Sequence, residues 1–367
     1  MTAAIHQFVA GYATRDAISN EARTLRRIFR HWGRDSAIFC ESRRILPELR
    51  GDTLDISEAR ARCNAADVAM LHLSIGSEVN EVFASLPCRK AILYHNVTPP
   101  HYFERVNPNT ANSLALGLRQ VNALAGAAEV NLADSDFNAS ELTALGYRGV
   151  RTFPLALDFD SIGTAPDRAT MDKFADGRLN VLFVGRGAPN KRLEDLLSAL
   201  VCLQTGGEPR SRLILAGSFA GTETYYAFLL SEARSAAPDS VHIMGSVSQP
   251  VLSALYRSAS VFLCMSEHEG FCIPIVESMA HDVPVLAYAA AAVPETMDGA
   301  GVLFRNRDFP SIAEMLLRLS RDPALREAVI KGQRERLRRY RGRDVEAELR
   351  NHLAPLLADA TSKGGLR

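Results

Sequence analysis

The sequence has no excess of charge of either sign, no paired cysteine motif and no long apolar run. Its 42 basic and 42 acidic residues cancel, so overall charge gives no reason to expect nucleic acid as a partner, and any anion site must be local. Its six cysteines contain no C-x-x-C pair, which favours a reducing cytosol over a disulfide framework or a zinc site. No apolar stretch reaches the roughly 18 residues of a membrane-spanning helix, and the first residues lack a signal-peptide pattern. We therefore expect a cytoplasmic location.

Two cofactor or metal motifs are missing as well. No G-x-G-x-x-G follows the first predicted strand, which weakens the case for a nicotinamide enzyme. Residues 134–136 and 158–160 each read D-x-D, a pattern that holds a metal ion in other enzymes. Here the first ends a predicted strand and the second opens a predicted linker, where aspartates are typical of turns. We therefore predict no metal and no cofactor.

Apolar residues make up 47% of the 367 residues, and the length suggests about two domains. Short β-rich runs alternate with helical patterns, which predicts an α/β protein with parallel sheets. The predicted strands are 5–10, 36–41, 68–73, 91–95, 130–133, 151–154, 181–185, 213–217, 241–245, 261–265, 283–287 and 302–304. These are too many for one sheet. We predict two doubly wound, Rossmann-like domains, 1–158 and 159–342, with their ligand-binding edges facing each other across a cleft. A helix in 343–367 is expected to pack back on the first domain, before a frayed tail.

The most informative motif has two carboxylates, Glu269 and Glu277, eight positions apart. A predicted strand precedes Glu269, and a helix begins near Pro274, which suits a first helical turn. The N–H groups at the start of that helix favour an anion, and Gly270 allows the backbone to approach a ligand closely. The layout fits a diphosphate with a hydroxyl-bearing group on each side. The spacing alone also fits two unrelated glutamates.

A second motif follows the first predicted strand of the second half. Arg186 and Lys191 lie in the loop between that strand and the next helix. An arginine fork and a lysine point charge at such a position can clamp a diphosphate. An ordinary solvated loop is the alternative.

The string from Glu269 to Ala280, followed by Val283-Pro284-Val285, resembles the E-x7-E signature of glycosyltransferase family 4, also called glycosyl transferases group 1. These are retaining enzymes with the GT-B fold, and they include bacterial mannosyl- and rhamnosyltransferases of surface polysaccharide synthesis. The resemblance implies that Glu269 is catalytic at the donor sugar and that Glu277 binds the ribose. It implies that the donor diphosphate is bound by Arg186, Lys191, Gly11, Gly270, Phe271 and Cys272. Ser246 and Val247 are implied to read the nucleotide base.

In the first half, the resemblance gives Gly11 and His95 their roles. Gly11 follows the first predicted strand, where family members have a small-residue loop near the donor phosphate. His95 ends a predicted strand, and the family has a histidine there that faces the transferred sugar. A plain glycine turn and a structural histidine are the alternatives.

A basic, amphipathic helix is predicted over 21–34, where arginines alternate with large apolar residues. Such a helix can lie on an anionic membrane or contact a lipid-linked acceptor, which would place the protein peripherally at the inner face of the membrane. The alternative is a surface helix whose apolar stripe covers the first sheet.

The resemblance implies a retaining, metal-independent hexosyltransferase. Its donor is a nucleotide-diphosphate sugar, with mannose or rhamnose linked to GDP or dTDP. Its acceptor is a glycan or polyprenyl-linked glycan of O-antigen or polysaccharide synthesis. Two alternatives remain: a GT-B-fold nucleotide-sugar epimerase, and a catalytically silent protein that binds a sugar nucleotide or glycan.

Overall fold

The computed structural model describes residues 3–14, 16–237 and 239–357. They form two compact units. The first unit comprises the described parts of Met1–Pro100, Ala111–Leu157 and Asp344–Arg367, and the second unit comprises those of His101–Thr110 and Asp158–Arg343. The predicted frayed tail lies outside the described residues beyond Leu357.

The strands are β1 (Ile5–Val9), β2 (Ile38–Cys40), β3 (Leu54–Asp55), β4 (Val68–Leu73), β5 (Arg89–Tyr94), β6 (Val130–Ala133), β7 (Arg151–Thr152), β8 (Asn180–Val184), β9 (Arg212–Ala216), β10 (Val241–Gly245), β11 (Val261–Cys264), β12 (Val285–Tyr288) and β13 (Val302–Phe304). The α-helices are α1 (Ala17–His31), α2 (Ala59–Arg62), α3 (Glu78–Ser85), α4 (Pro108–Ala123), α5 (Asp136–Ala144), α6 (Phe159–Ile162), α7 (Arg168–Phe174), α8 (Leu193–Thr205), α9 (Glu223–Ala236), α10 (Gln249–Ser258), α11 (Ile273–Ala280), α12 (Val293–Met297), α13 (Phe309–Arg321), α14 (Pro323–Arg341) and α15 (Val345–Leu357).

Each unit is built on one parallel sheet. The first has the order β3-β2-β1-β4-β5-β6-β7 and the second β10-β9-β8-β11-β12-β13. The first strand of each sheet, β1 or β8, lies near the middle of that sheet. The next strands are added on one side of it, and the chain then reverses direction and crosses to the other side, so that β4 pairs with β1 and β11 pairs with β8. Doubly wound sheets bind ligands at the carboxyl ends of the strands beside such a reversal. The predicted α/β class, with two doubly wound sheets, is confirmed.

Helices on both faces of each sheet explain why the central strands are buried throughout, including His6 and Gln7 of β1 and His72 of β4. All five residues of β1 and all six of β4 are buried, as expected for a parallel sheet covered on both sides. In the first unit, Leu349, Leu353 and Leu356 of α15 lie in the same core cluster as residues of β1, β4 and β5. Their i, i+4, i+7 spacing places them on one helix face. The last described helix therefore completes the core of the first unit.

Two features differ from the sequence expectation. Strand β3 is only two residues long and has no apolar run that could reveal it. The segment His101–Thr110 groups with the second unit, although the predicted boundary places it in the first domain. Val106 packs against the core of the second unit, and the Asn107 amide donates to the Gly221 carbonyl over 2.8 Å.

The basic helix also begins and ends earlier than predicted. It runs from Ala17 to His31, with the Asp16 side chain accepting a hydrogen bond from the Ser19 N–H at its N-terminus. Its residues Leu25 and Phe29 are fully buried in the core of the first unit. The apolar stripe of this helix therefore covers the sheet of the first unit, as the alternative to membrane binding predicted. Among the described residues, no helix is both long enough and apolar enough to cross a membrane.

Candidate active site

The carboxyl ends of β8, β9 and β10 are held together at glycines. The Gly185 N–H donates to the Ala216 carbonyl, and the Gly217 N–H donates to the Gly245 carbonyl, each over 2.9 Å. Gly217 has φ +152°, and a Cβ there would lie 1.8 Å from the Gly185 carbonyl oxygen. Only glycine fits such a close approach of two backbones. These hydrogen bonds fix the positions at which the loops after β8, β9 and β10 begin.

Lys191 and Glu269 form the central ion pair of this edge. Lys191 ends a short 3₁₀ helix after β8, and Glu269 lies in the loop between β11 and α11. The lysine Nζ is 2.6 Å from a carboxylate oxygen, and the two side chains are only 17% and 11% exposed. Burial acts to lower the pKa of Lys191, but the neighbouring Glu269 carboxylate outweighs it and the pKa is raised. The lysine is therefore charged, and the structure brings together two residues that the sequence assigns to one site.

A polar network fixes the Glu269 loop, and the sequence analysis missed its members. The Asn190 carbonyl accepts the Glu267 N–H over 2.9 Å, and the Asn190 amide donates to the His268 carbonyl over 3.1 Å. Arg307 pairs with the Glu267 carboxylate at 2.6 Å. Burial, then the charge of Lys191, lowers the pKa of His268 to about 4, so this histidine is neutral at pH 7. No local pattern marks Asn190 or Arg307, because each acts through a partner far away in the sequence.

Glu277 lies in α11, one turn after Pro274. The Tyr256 hydroxyl donates a 2.6 Å hydrogen bond to its carboxylate. Burial raises the pKa of Glu277, and the Tyr256 hydrogen bond opposes that rise. The first N–H groups of α11 have no acceptor within the helix, as at any helix start. Glu277, Tyr256 and the N-terminus of α11 thus lie at the same edge of the sheet. Together they can bind a ligand that has both hydroxyl and anionic groups.

Cys264 and Cys272 approach each other beside Glu269, although the sequence contains no paired cysteine motif. Cys264 ends β11, and Cys272 precedes α11 in a left-handed conformation with φ +73°. The hydrogen bond between the two thiols lowers the pKa of Cys264 and raises that of Cys272. One sulfur atom of each cysteine and one oxygen of Glu269 all lie within 4.8 Å of one another. Cys264 and Cys272 are eight residues apart in the sequence, a spacing that matches no cysteine motif. They meet because the loop between β11 and α11 brings the end of the strand next to the start of the helix.

The other predicted diphosphate ligands of this loop are Gly270 and Phe271. Phe271 is 6% exposed, and its ring meets that of Tyr340 edge to face at 5.8 Å. Its carbonyl accepts a hydrogen bond from the Thr296 hydroxyl. The side chain of Phe271 therefore belongs to the core, and only its backbone N–H is a candidate ligand group.

Arg186 is exposed and lies next to a cavity rather than within the ion pair. Its Nη2 donates to the Ala220 carbonyl over 3.1 Å, and its guanidinium carbon is 5.9 Å from the ring centre of Phe103. Ala220 and Ser246 both line a cavity of about 430 Å³ at the ends of β9 and β10. Val247 follows Ser246 and is half-buried. Ser246, which is predicted to bind the base, therefore lines a cavity that lies beside Arg186, a predicted ligand of the diphosphate.

In the first unit, His95 follows β5 and is part of a buried polar chain. Its Nε2 is 3.0 Å from Nδ1 of His72, and its Nδ1 is 3.3 Å from the Asp134 carboxylate. The His72 Nε2 in turn lies 2.9 Å from the Gln7 side-chain oxygen. Only 3% of the His95 side chain is exposed. These contacts support the structural alternative for His95, and its role at a sugar stays a prediction.

Gly11 follows β1, as predicted, but its backbone does not need glycine. A Cβ at Gly11 would meet one atom, the Arg44 carbonyl oxygen, at an ordinary 3.9 Å. Of the aspartates in the D-x-D sequences, Asp134 is bound to His95, and Asp158 accepts a hydrogen bond from the Ser161 N–H at the start of α6. The contribution of Gly11 to a phosphate site stays a prediction.

Comparison with known proteins places this geometry in a family. Residues 171–336 match the family described as Glycosyl transferases group 1. Among curated proteins, the O-antigen chain mannosyltransferase B of Escherichia coli is 31% identical over 54% of this chain and 54% of its own length. A GDP-mannose:cellobiosyl-diphosphopolyprenol alpha-mannosyltransferase of Xanthomonas campestris is 36% identical over 36% of this chain and 35% of its own. The matched region spans about half, or less, of these relatives.

Solved structures resemble the whole described chain. HepE from Anabaena, in complex with UDP and glucose, has a TM-score of 0.74 at 15% identity and covers 96% of this chain and 100% of its own. The sucrose-phosphate synthase of Thermosynechococcus elongatus has the same TM-score at 17% identity, with 96% and 99% covered. At such low identity the likeness shows the fold, which is GT-B. Residues 171–336 of this chain are a Glycosyl transferases group 1 domain, and Lys191, Glu269 and Glu277 all lie within it.

Proposed function

We propose that this protein is a retaining glycosyltransferase that moves a hexose, with mannose as the first candidate, from a nucleotide-diphosphate sugar to a glycan or polyprenyl-linked glycan. The observation that carries the proposal is the Lys191–Glu269 pair at 2.6 Å, next to the N-terminus of α11. It combines a cation for a phosphate with a carboxylate for sugar hydroxyls at the edge where doubly wound sheets bind ligands.

The roles follow from the chemistry of each group. Glu269 accepts hydrogen bonds from hydroxyls of the donor sugar, and Lys191 and the α11 N-terminus stabilise the negative charge that builds on the leaving diphosphate. Arg186 adds its guanidinium on the side of the β9–β10 cavity. Glu277, oriented by Tyr256, accepts hydrogen bonds from the ribose. No metal is needed in this scheme, because side chains and the helix supply the positive charge.

The choice of donor and acceptor rests on the named relatives. The two curated relatives named above are both mannosyltransferases, and the name of the Xanthomonas campestris enzyme gives GDP-mannose as donor and a diphosphopolyprenol-linked acceptor. We therefore place GDP-mannose ahead of dTDP-rhamnose, and a lipid-linked glycan of O-antigen or exopolysaccharide synthesis ahead of a free sugar. Such an acceptor is presented at the cytoplasmic face of a membrane, where we place the enzyme.

The test is a transfer assay with radiolabelled GDP-mannose, UDP-glucose and dTDP-rhamnose, polyprenyl-linked glycan as acceptor, and EDTA throughout. Glu269→Ala should lower turnover while nucleotide affinity is nearly kept, and Glu277→Ala should mainly weaken nucleotide binding. Loss of a charged hydrogen-bond partner costs about 1.5–3 kcal/mol, or roughly 10- to 100-fold. Glu232→Ala, on the exposed face of α9, is the matched control. Full activity of both site variants, or activity that appears only when metal replaces EDTA, would contradict these roles.

A further inference from the structure

The loop between β11 and α11 brings two thiols and a carboxylate to one point. The sulfurs of Cys264 and Cys272 and an oxygen of Glu269 lie within 4.8 Å of one another. Among residues 3–14, 16–237 and 239–357, this is the only group of three such ligands found. Cys63 and Cys88 of the first unit also lie within hydrogen-bonding reach of each other, but that pair is not part of such a group.

The distances fit a tetrahedral ion with little movement. Zinc bonds thiolate sulfur at about 2.3 Å, so two sulfurs on one tetrahedral zinc lie about 3.8 Å apart. Because the two sulfurs lie at most 4.8 Å apart, they need to close by at most about 1 Å. Cys272 is 9% exposed and the Glu269 side chain 11%, so a small ion can enter from their side.

The charges balance when an ion is bound. Two thiolates and the Glu269 carboxylate carry three negative charges, a divalent cation cancels two, and the Lys191 ammonium cancels the third. Lys191 already bonds a Glu269 oxygen at 2.6 Å, which leaves the second oxygen for the ion. A partner that holds a ligand in this way typically tightens metal binding. Sulfur ligands select soft cations such as Zn²⁺ over Mg²⁺ and Ca²⁺, which prefer oxygen.

We propose that Cys264, Glu269 and Cys272 form a binding site for a soft divalent cation, Zn²⁺ in the first instance, and that a bound ion occupies the carboxylate of the Lys191–Glu269 pair. The site would be inhibitory, because it claims a group that the donor needs. The inhibition rests on the proposed role of Glu269, whereas metal binding itself is independent of the proposed transferase activity and is measured directly.

The probe is Co²⁺, which replaces Zn²⁺ and gives a sulfur-to-cobalt charge-transfer band in the near ultraviolet when thiolates bind it. Titration of the full, reduced protein without oxygen should produce this band at one Co²⁺ per chain, and Zn²⁺ should abolish it where excess Mg²⁺ does not. Zn²⁺ should also raise Tm, because it binds the native state.

Two variants test the ligands. Cys264→Ser and Cys272→Gly should each lower Zn²⁺ affinity by more than the roughly 10- to 100-fold that loss of an outer partner costs. Cys272→Gly suits the φ of +73°, and circular dichroism confirms that it folds. Cys63→Ser is the matched control and should keep the band. Absence of the band from the wild type, its survival in both site variants, or its loss in Cys63→Ser would overturn the proposal.

Discussion

The Lys191–Glu269 pair should be strongly coupled, and a double-mutant cycle can measure this. With 17% and 11% of the side chains exposed, removal of one partner leaves a mostly desolvated charge. Such removals cost about 3–5 kcal/mol in fully buried pairs, and the residual exposure here favours the lower end, about 3 kcal/mol. For a unit of this size, 1 kcal/mol shifts Tm by about 2–4 °C. Lys191→Met and Glu269→Gln should each lower the Tm of the second unit by about 6–12 °C, and the double variant by clearly less than their sum.

Urea and thermal unfolding followed by far-ultraviolet circular dichroism measure the cycle. The single tryptophan of the chain, Trp32, lies in the first unit, so its fluorescence distinguishes the two units. The control pair is Arg168 and Asp172 of α7, 3.1 Å apart but 88% and 63% exposed, for which about 0.3–0.5 kcal/mol is expected. Strictly additive effects of the Lys191 and Glu269 changes, or a shift seen only by Trp32 fluorescence, would refute the reasoning.

Three other changes have defined outcomes. Gly217→Ala should lower the free energy of unfolding by about 3 kcal/mol, because its Cβ would lie 1.8 Å from the Gly185 carbonyl oxygen. Gly332→Ala in α14 is the control: its Cβ would have no atom within 4 Å, so it should stabilise the protein by up to about 1 kcal/mol. Urea titration measures both. Cys272→Gly should change the free energy of unfolding by less than about 1 kcal/mol, because relief of the left-handed backbone, about 1–2 kcal/mol, is offset by the backbone entropy of glycine, about 0.5–1 kcal/mol, and by the loss of a buried side chain; a loss above about 2 kcal/mol would contradict it. The raised pKa of Glu277 means that its stabilising contribution is complete below the unfolded pKa of about 4.3 and is lost as pH rises through the folded pKa. Tm measured across pH should therefore fall for the wild type relative to Glu277→Gln over that window, and parallel curves would show that the carboxyl is not desolvated.

The strands were predictable because parallel strands covered on both faces are mostly apolar, as in β4 and β11. Strand β3, with two half-buried residues, has no such run. The membership of His101–Thr110 in the second unit was not predictable either. It depends on the packing of Val106 against the core of the second unit and on the hydrogen bond of Asn107 to Gly221, 114 positions away.

For the site, the E-x7-E string located Glu269 and Glu277 because a strand-loop-helix unit keeps its residues close together. Asn190 and Arg307 remained hidden, since a buried amide and a paired arginine look like any others in a sequence. The burial of His95 was hidden for a similar reason. Its partners His72 and Asp134 come from neighbouring strands, and a sequence shows that they are histidine and aspartate but not that they face one another.

The first unit draws on the chain from its start to its last described helix. Leu349 and Leu353 of α15 lie in one core cluster with Ile5 of β1, although more than 340 positions separate them. During synthesis, β1 to β7 leave the ribosome long before α15 is made, whereas the second unit is complete at Arg343. The N-terminal half of the protein must therefore finish folding last. Until α15 has been made, the apolar sheet face that it covers is exposed, which favours aggregation of the nascent chain.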